Sequence, residues 1–240
     1  MDSQNRIQKS YEQRAKVYSE RMQWVDDQQF ITPFIAEAKG EKRALDACAG
    51  TGAVSKMLLK NGWNVVSLDI SDEMMKTGKL TNKVIGSVEN IPFDDNSFEL
   101  ITCRQGLQYT DLEASLSEIM RVAKDKVVLG HITKEINDNY DFWNEYFKIA
   151  SPGRKIILKP YQIAEEAEKL GFIVSNIEVR RQMDFYNGPL LHLPKAEYDQ
   201  LVEFVMNQSE TFKKLYHIVE NNGDIVYSNR WEFVTLYKSL

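Results

Sequence analysis

The chain has 240 residues, of which 43% are apolar and 27% are charged, a composition that excludes collagen-like, low-complexity and disulfide-rich secreted proteins. Lys and Arg number 30 against 35 Asp and Glu, and the net charge of −5 disfavours binding along an extended nucleic acid. No apolar run is long enough for a signal peptide or a membrane span, so we expect a cytoplasmic protein.

Short apolar runs alternate with segments of helical periodicity from Arg43 onward. This alternation predicts βαβ units and an α/β fold with a doubly wound, mainly parallel sheet. The predicted strands number seven and cover residues 43–47, 64–69, 83–85, 98–103, 126–133, 172–183 and 225–237. The predicted helices cover residues 51–61, 72–79 (with Ser71 as N-cap), 112–123, 140–150 and 161–170.

Two segments fall outside this alternation. Residues 1–39 carry two amphipathic helical patterns and are interpreted as an N-terminal helical flap ahead of a core at 40–185. Residues 186–223 carry a further helical pattern before the final strand at 224–240. This segment is far longer than a hairpin turn requires, so we predict a helical insertion that caps the ligand site. Because no linker interrupts the chain, residues 1–240 are predicted to form a single domain.

A glycine-containing loop follows the first predicted strand, in the order Asp46-Ala47-Cys48-Ala49-Gly50-Thr51-Gly52. Such a loop at a strand-to-helix turn, with Asp69 at the end of the next strand, indicates a cofactor that contains adenosine, because the acid can accept hydrogen bonds from ribose hydroxyls. Two cofactors remain open from these residues, a nicotinamide dinucleotide and S-adenosylmethionine. Cys48 stands where the dinucleotide fingerprint has its first glycine, which weakens that alternative.

Further motifs lie downstream of the loop. They are Leu45-Asp46-x-x-x-Gly50-Thr51-Gly52, then Asp69, residues 86–101 beginning Gly86-Ser87-Val88-Glu89, Cys103-Arg104-Gln105-Gly106-Leu107, and Glu118-Ile119-x-Arg121-Val122. In this order the motifs resemble class I S-adenosylmethionine-dependent methyltransferases, and the last two resemble the branch of the ubiquinone and menaquinone C-methyltransferases. The resemblance spans roughly residues 11–172. It implies a Rossmann-like seven-stranded sheet whose last strand is antiparallel.

The resemblance also implies which residues bind the cofactor. By this resemblance, the methionine end of the cofactor contacts Asp46, Ala49, Gly50 and Gly52, and the ribose contacts Asp69. The adenine contacts Ile70, Met74, Ser87, Val88 and Glu89, and Arg104 lies nearby. An N-terminal pattern that closes over the cofactor in relatives falls on Tyr11, Arg14 and Tyr18, with Arg14 suited to the methionine carboxylate. Cys48 and Ser87 depart from the family pattern, which has a glycine and an acid at these positions.

Methyl transfer needs an aligned nucleophile more than an acid or a base, because the sulfide leaves unassisted. His131 lies at the C-terminal side of the fifth strand, where ligands bind, and is predicted as a base that contacts the acceptor, with Tyr18 and Gln105 as further catalytic candidates. Gln108 and Tyr109 are predicted acceptor contacts. The free thiols of Cys48 and Cys103 should lie near the cofactor, and no zinc-ligand pattern accompanies them.

The sequence therefore predicts methyl transfer from S-adenosylmethionine to a small apolar or aromatic acceptor. A tRNA-modifying methyltransferase and a protein that binds S-adenosylmethionine without turnover are the alternatives, and the acidic net charge counts against the first. Partners beyond the small molecule are not expected to include nucleic acid, and a homodimer stays open.

Overall fold

The structure is a computed structural model that describes residues 25–35, 42–135, 139–151, 153–185, 194–221 and 224–239. The predicted site residues Tyr11, Arg14 and Tyr18 lie outside the described residues. So does most of the predicted flap, of which two short 3-10 turns, Gln28–Phe30 and Thr32–Phe34, are described.

One mixed sheet organises the described chain. Its strands are β1 (Arg43–Ala47), β2 (Asn64–Asp69), β3 (Lys83–Ile85), β4 (Phe98–Arg104), β5 (Ala123–Thr133), β6 (Phe172–Phe185), β7 (Val219–Asn221) and β8 (Asp224–Lys238). Seven of them run in the order β3-β2-β1-β4-β5-β8-β6, which confirms the predicted doubly wound sheet. The short β7 was not predicted, and it pairs with the start of β8. β8 runs antiparallel to both β5 and β6, as the resemblance implied.

The helices that follow the strands are α1 (Ala53–Lys60), α2 (Asp72–Thr77), α3 (Leu112–Val122), α4 (Tyr140–Ala150), α5 (Gln162–Lys169), α6 (Lys195–Met206) and α7 (Glu210–Leu215). Ser71 caps α2, since its Oγ accepts a hydrogen bond from the backbone N–H of Met74 at 3.3 Å. The predicted cap and helix are therefore confirmed, although α2 ends two residues early. Among the described residues, no helix combines the length and apolar character needed to cross a bilayer.

Apolar side chains cover the sheet on both faces. On one face, Leu116 and Ile119 of α3 and Ile163 of α5 pack in a fully buried cluster. On the other face, Leu58 of α1 packs with Phe34, and Phe34 meets Phe233 of β8 edge to face. Because β1 pairs with β2 on one side and β4 on the other, the carboxyl ends of these three strands meet at one edge of the sheet. That edge is where ligands bind in open α/β folds.

The described part of the insertion forms a third cluster with α4. Leu201 of α6 and Phe212 of α7 are buried against Phe142 and Trp143 of α4. The Trp143 indole N–H donates a hydrogen bond to the Tyr216 hydroxyl at 3.1 Å. The apolar side chains of the insertion are therefore buried against α4, a helix of the core.

Candidate functional site

The loop after β1 is shaped by left-handed backbone at every second residue. Cys48, Gly50 and Gly52 have φ angles of +56°, +55° and +74°. Glycine adopts this region freely, whereas an L-residue such as Cys48 does so at a cost of about 1–2 kcal/mol. The loop leads directly into α1, with Gly52 at its N-cap. The backbone N–H groups of Ala49 and Gly52 donate to the Leu68 and Ala49 carbonyls at 3.0 and 2.8 Å, which holds the loop in this shape.

Asp46 fixes this loop to the elements around it. Its Oδ2 accepts hydrogen bonds from the Ser55 backbone N–H at 2.9 Å and from the Ser55 hydroxyl at 2.6 Å, and its Oδ1 accepts one from the Thr102 hydroxyl at 2.9 Å. Burial raises the pKa of the Asp46 carboxyl, and these hydrogen bonds oppose that rise. The carboxylate thus joins β1, α1 and β4 beneath the loop.

Asp69 holds the other side of the loop. Its Oδ2 accepts a hydrogen bond from the Gly50 backbone N–H at 2.8 Å, and its Oδ1 accepts one from the Ser71 backbone N–H at 2.8 Å. Burial raises the pKa of the Asp69 carboxyl, and the two backbone hydrogen bonds partly oppose this. The carboxylate is therefore fixed at the end of β2, where it lines a cavity.

That cavity encloses about 980 Å³, including its open mouth. Thirteen residues predicted from the sequence line it: Asp46, Cys48, Ala49, Gly50, Asp69, Ile70, Met74, Ser87, Val88, Glu89, Arg104, Gln105 and Tyr109. Gly52, predicted for the methionine end of the cofactor, is not among the lining residues, and a Cβ placed on it would meet the Leu80 side chain instead. The lining also includes three motif residues to which the sequence assigned no role, Thr51, Gly86 and Gly106. Val25, Val54 and Thr110 line it as well, and the sequence did not single them out.

Apolar and polar side chains both line the cavity. Met74 and Val88 are almost fully buried, and a Cβ placed on Gly50 would lie 3.5 Å from the Met74 methyl. The Ser87 Oγ accepts a hydrogen bond from the Glu89 backbone N–H at 3.1 Å. The Arg104 guanidinium donates to the Val25 carbonyl at 2.9 Å.

The turn after β4 adds further polar groups to the lining. Gln105 has a left-handed φ of +58°, and its backbone N–H donates to the Gly130 carbonyl at 2.9 Å. Its side-chain Nε2 is buried without a hydrogen-bond acceptor among the described residues. Tyr109 also lines the cavity, and its hydroxyl lies 2.6 Å from the Ser151 hydroxyl. Gln108 does not line the cavity, since its side chain folds back onto Gln105.

The structure does not bring His131 to this cavity, so the prediction that it contacts the acceptor needs correction. The ring is buried beside Glu232, with 3.4 Å between Nε2 and the carboxylate. Burial, assisted by the nearby Arg230 charge, lowers the pKa of His131 to about 3. A histidine with such a pKa is a poor proton acceptor at neutral pH. Its residue type and its position near the C-terminal end of a strand were the only signals in the sequence, and neither reveals which way the ring faces.

Cys48 and Cys103 lie side by side, and their closeness to the cofactor stays a prediction. Cys48 lines the cavity, and a Cβ placed on Gly106 would meet the sulfurs of Cys48 and Cys103 at 2.4 and 3.3 Å. The Cys103 thiol and burial raise the pKa of Cys48 well above its ordinary value. The Cys48 thiol is therefore protonated. Because Gly106 has no side chain, Cys48 has room beside it.

Residues 45–130 match the model of a methyltransferase domain family. The chain is 40% identical over 91 residues to a demethylmenaquinone methyltransferase of Corynebacterium kroppenstedtii, an alignment that covers 37% of this chain and 40% of that relative. It is 26% identical over 200 residues to a ubiquinone/menaquinone biosynthesis C-methyltransferase of Shewanella sediminis, covering 74% of this chain and 76% of the relative.

Solved structures share the fold. A candidate methyltransferase of Bacillus halodurans superimposes with a TM-score of 0.79 at 19% identity, covering 89% of this chain and 99% of the other. A phosphoethanolamine N-methyltransferase of Haemonchus contortus, crystallised with S-adenosylmethionine, does so with a TM-score of 0.59 at 21% identity, covering 92% of this chain and 54% of the other.

The domain match over residues 45–130 and the methyltransferase relatives, together with the sheet order and the glycine loop, support a class I S-adenosylmethionine-dependent methyltransferase. Within that class, the chain resembles the ubiquinone and menaquinone C-methyltransferases, as its motifs predicted.

Proposed function

We propose that the chain transfers the methyl group of S-adenosylmethionine to a small acceptor with an apolar or aromatic part, bound at the Gln105 and Tyr109 end of the cavity. The observation that carries this proposal is the continuity of one cavity from the loop after β1 to the turn after β4. A cofactor seated over the loop would have its sulfonium group directed to that turn.

The residues present fit this cofactor. Asp69 is a fixed carboxylate with lone pairs left for ribose hydroxyls, and Ile70 and Met74 offer an apolar surface for a flat ring. Gly50 leaves open space beside the Met74 methyl that a side chain would fill. Arg104 supplies a positive charge suited to a carboxylate. When bound, S-adenosylmethionine supplies an electrophilic methyl group.

Gln105 is the residue that we propose to orient the acceptor. Its Nε2 is a buried donor that no described residue satisfies, and burying a donor without an acceptor costs about 1–3 kcal/mol. An acceptor oxygen or nitrogen beside it would recover that cost. Tyr109 would pack its ring against the acceptor while Ser151 holds its hydroxyl. Alignment by these two side chains, with exclusion of water, is the contribution that displacement at a sulfonium methyl requires.

Two measurements test the proposal in sequence. Calorimetry with S-adenosylhomocysteine should show binding that Asp69→Asn weakens and Asp72→Asn preserves, because Asp72 lies on α2 and pairs with Lys76 and Lys83 instead. Transfer of a labelled methyl group is then measured against a panel of small phenols, quinols and amines, where Gln105→Ala should lower turnover.

The outcomes separate the alternatives. Absence of S-adenosylhomocysteine binding would contradict the proposal altogether. Binding without transfer to any small molecule would favour a protein that holds the cofactor without turnover, and label incorporated only into tRNA would favour a tRNA-modifying enzyme. A cytoplasmic location, the single-domain boundaries and a homodimer stay predictions.

A further inference from the structure

A second cavity lies beside the first, between α4 and residues 153–157. It encloses about 650 Å³, including its open mouth. Three of its ten lining residues are cations, namely Lys148, Arg154 and Lys155, and none of the ten is Asp or Glu. On a chain whose net charge is −5, this is a local concentration of positive charge.

The wall between the two cavities contains the hydrogen-bonded side chains of Tyr109 and Ser151. Tyr109 lines the cofactor cavity, while Ser151, which its hydroxyl contacts at 2.6 Å, lines the second cavity. The backbone N–H groups of Lys155 and Ile156 donate to the Gln108 carbonyl at 2.9 and 3.2 Å. The floor of the second cavity is therefore fixed to the turn that carries Gln105 and Tyr109.

Two of the cations are positioned by contacts along this wall. The Arg154 guanidinium carbon lies 3.9 Å from the centre of the Phe147 ring and 5.8 Å from that of Tyr109. Such stacking holds the planar group in place while it keeps its charge. Lys155 pairs at 3.0 Å with Glu89, whose carboxylate belongs to the cofactor cavity.

Lys148 completes the set from the surface of α4. It pairs with Glu145, one helical turn away, and both side chains are more than half exposed. Exposed pairs of this kind contribute at most about 1 kcal/mol, so a bound anion can replace the carboxylate at little cost. Asn144 and Ser151 add neutral hydrogen-bonding groups to the same cavity.

We propose that this second cavity binds an anionic group, a phosphate or a carboxylate, carried by the methyl acceptor. The apolar or aromatic part of such an acceptor would lie against Tyr109, with its nucleophilic atom in the cofactor cavity and its anionic group between Arg154 and Lys148. This inference rests on the proposed methyl transfer and narrows its substrate class to small anionic molecules. The acidic net charge favours a small anion over RNA.

The test uses phenyl phosphate and benzoate as probes, titrated into the full chain with and without saturating S-adenosylhomocysteine. At least one probe should bind, and its affinity should fall with ionic strength. Arg154→Gln should weaken binding by about tenfold or more, as expected for losing a hydrogen bond to a charged group. Lys148→Gln, a milder surface change, should also weaken it, which keeps the test valid if Arg154→Gln fails to fold.

Lys169→Gln is the matched control. Lys169 is an exposed lysine on α5 that pairs with Glu166 three residues away, as Lys148 pairs with Glu145, but it lies outside the cavity. It should leave probe binding unchanged, and all three variants should keep S-adenosylhomocysteine affinity.

The results that would overturn the inference are distinct from failure of the proposed function. If S-adenosylhomocysteine binds and neither probe does, the anionic subsite is wrong while cofactor binding stands. Equal probe affinity in wild type, Arg154→Gln and Lys148→Gln would also contradict it. If only a single-stranded RNA oligonucleotide binds, and the two substitutions abolish that binding, the cavity serves a nucleic acid instead. Loss of S-adenosylhomocysteine binding alone, with probe binding retained, would refute the cofactor assignment and support the anion site.

Discussion

Gly106 lies so close to Cys48 that any side chain at position 106 would collide with the cysteine. The size of this collision gives a quantitative prediction. A Cβ built on Gly106 would lie 2.3 Å from the Cβ of Cys48 and 2.4 Å from its sulfur, closer than real atoms approach. Gly106 has an ordinary φ of −114°, so an alanine there suffers this contact and no backbone strain. Gly106→Ala should therefore overpack the core and destabilise the fold by about 1–3 kcal/mol.

Cys48→Gly should remove that penalty, because the atoms that alanine meets are the Cβ and sulfur of Cys48. Taken alone, Cys48→Gly removes the strain of a left-handed φ, which stabilises the fold by about 1–2 kcal/mol. It also loses the packing of the thiol, and the greater chain entropy of glycine in the unfolded state costs about 0.5–1 kcal/mol. We expect its free energy of unfolding to stay near that of wild type. The double variant should then recover most of what Gly106→Ala loses.

Urea unfolding of the wild type, both single variants and the double variant forms a cycle whose coupling energy should be about 1–3 kcal/mol. Gly86→Ala is the control glycine, since its added Cβ would meet the flexible end of Leu68 at 3.0 Å and the Pro92 ring at 3.7 Å, and not Cys48. Cys48→Gly should not rescue it. If Gly106→Ala costs as much in the Cys48→Gly background as in the wild type, the two residues do not compete for this space and the reasoning is refuted.

Three further predictions concern other parts of the molecule. The pKa of His131 is about 3 in the folded protein and near 6.5 when unfolded, so the unfolded state takes up the proton first and stability falls as pH decreases below about 6.5. Between pH 7 and pH 5 the loss should be about 2 kcal/mol in urea unfolding, and His131→Gln should remove it, whereas an unchanged pH profile in that variant would contradict the buried neutral ring. Alkylation of Cys48 and Cys103, followed by mass spectrometry, should slow when S-adenosylhomocysteine is bound, because Cys48 lines the cavity proposed for this ligand. Equal labelling with and without S-adenosylhomocysteine would argue that the ligand binds elsewhere. Leu201→Ala should lower the free energy of unfolding by about 2–5 kcal/mol, because Leu201 is fully buried against α4, and a loss below about 1 kcal/mol would mean that the insertion does not stabilise the core.

The sequence determined the parts of this protein that depend on neighbours along the chain. The predicted bounds of β1, β2, β3 and α4 agree with the structure, because periodicity of apolar residues and stop signals act over a few residues. The glycine loop and Asp69 were found for the same reason, since strand, loop and acid keep a fixed spacing in this fold. Even β5 was located, although it begins three residues early, where Ala123 pairs with Phe98 across the sheet.

Tertiary structure decided what depends on which distant residues meet. The sequence could not tell that His131 turns toward Glu232 rather than the ligand, because a single strand position does not specify its neighbours on β8. The insertion was expected above the cofactor, yet its described helices cover α4, and none of residues 194–221 lines the cofactor cavity. The basic cavity beside Tyr109 was equally hidden, since Lys148 and Arg154 become neighbours only when the chain after α4 folds back against the turn after β4. Periodicity along a chain fixes its elements, whereas the order and packing of those elements fix its sites.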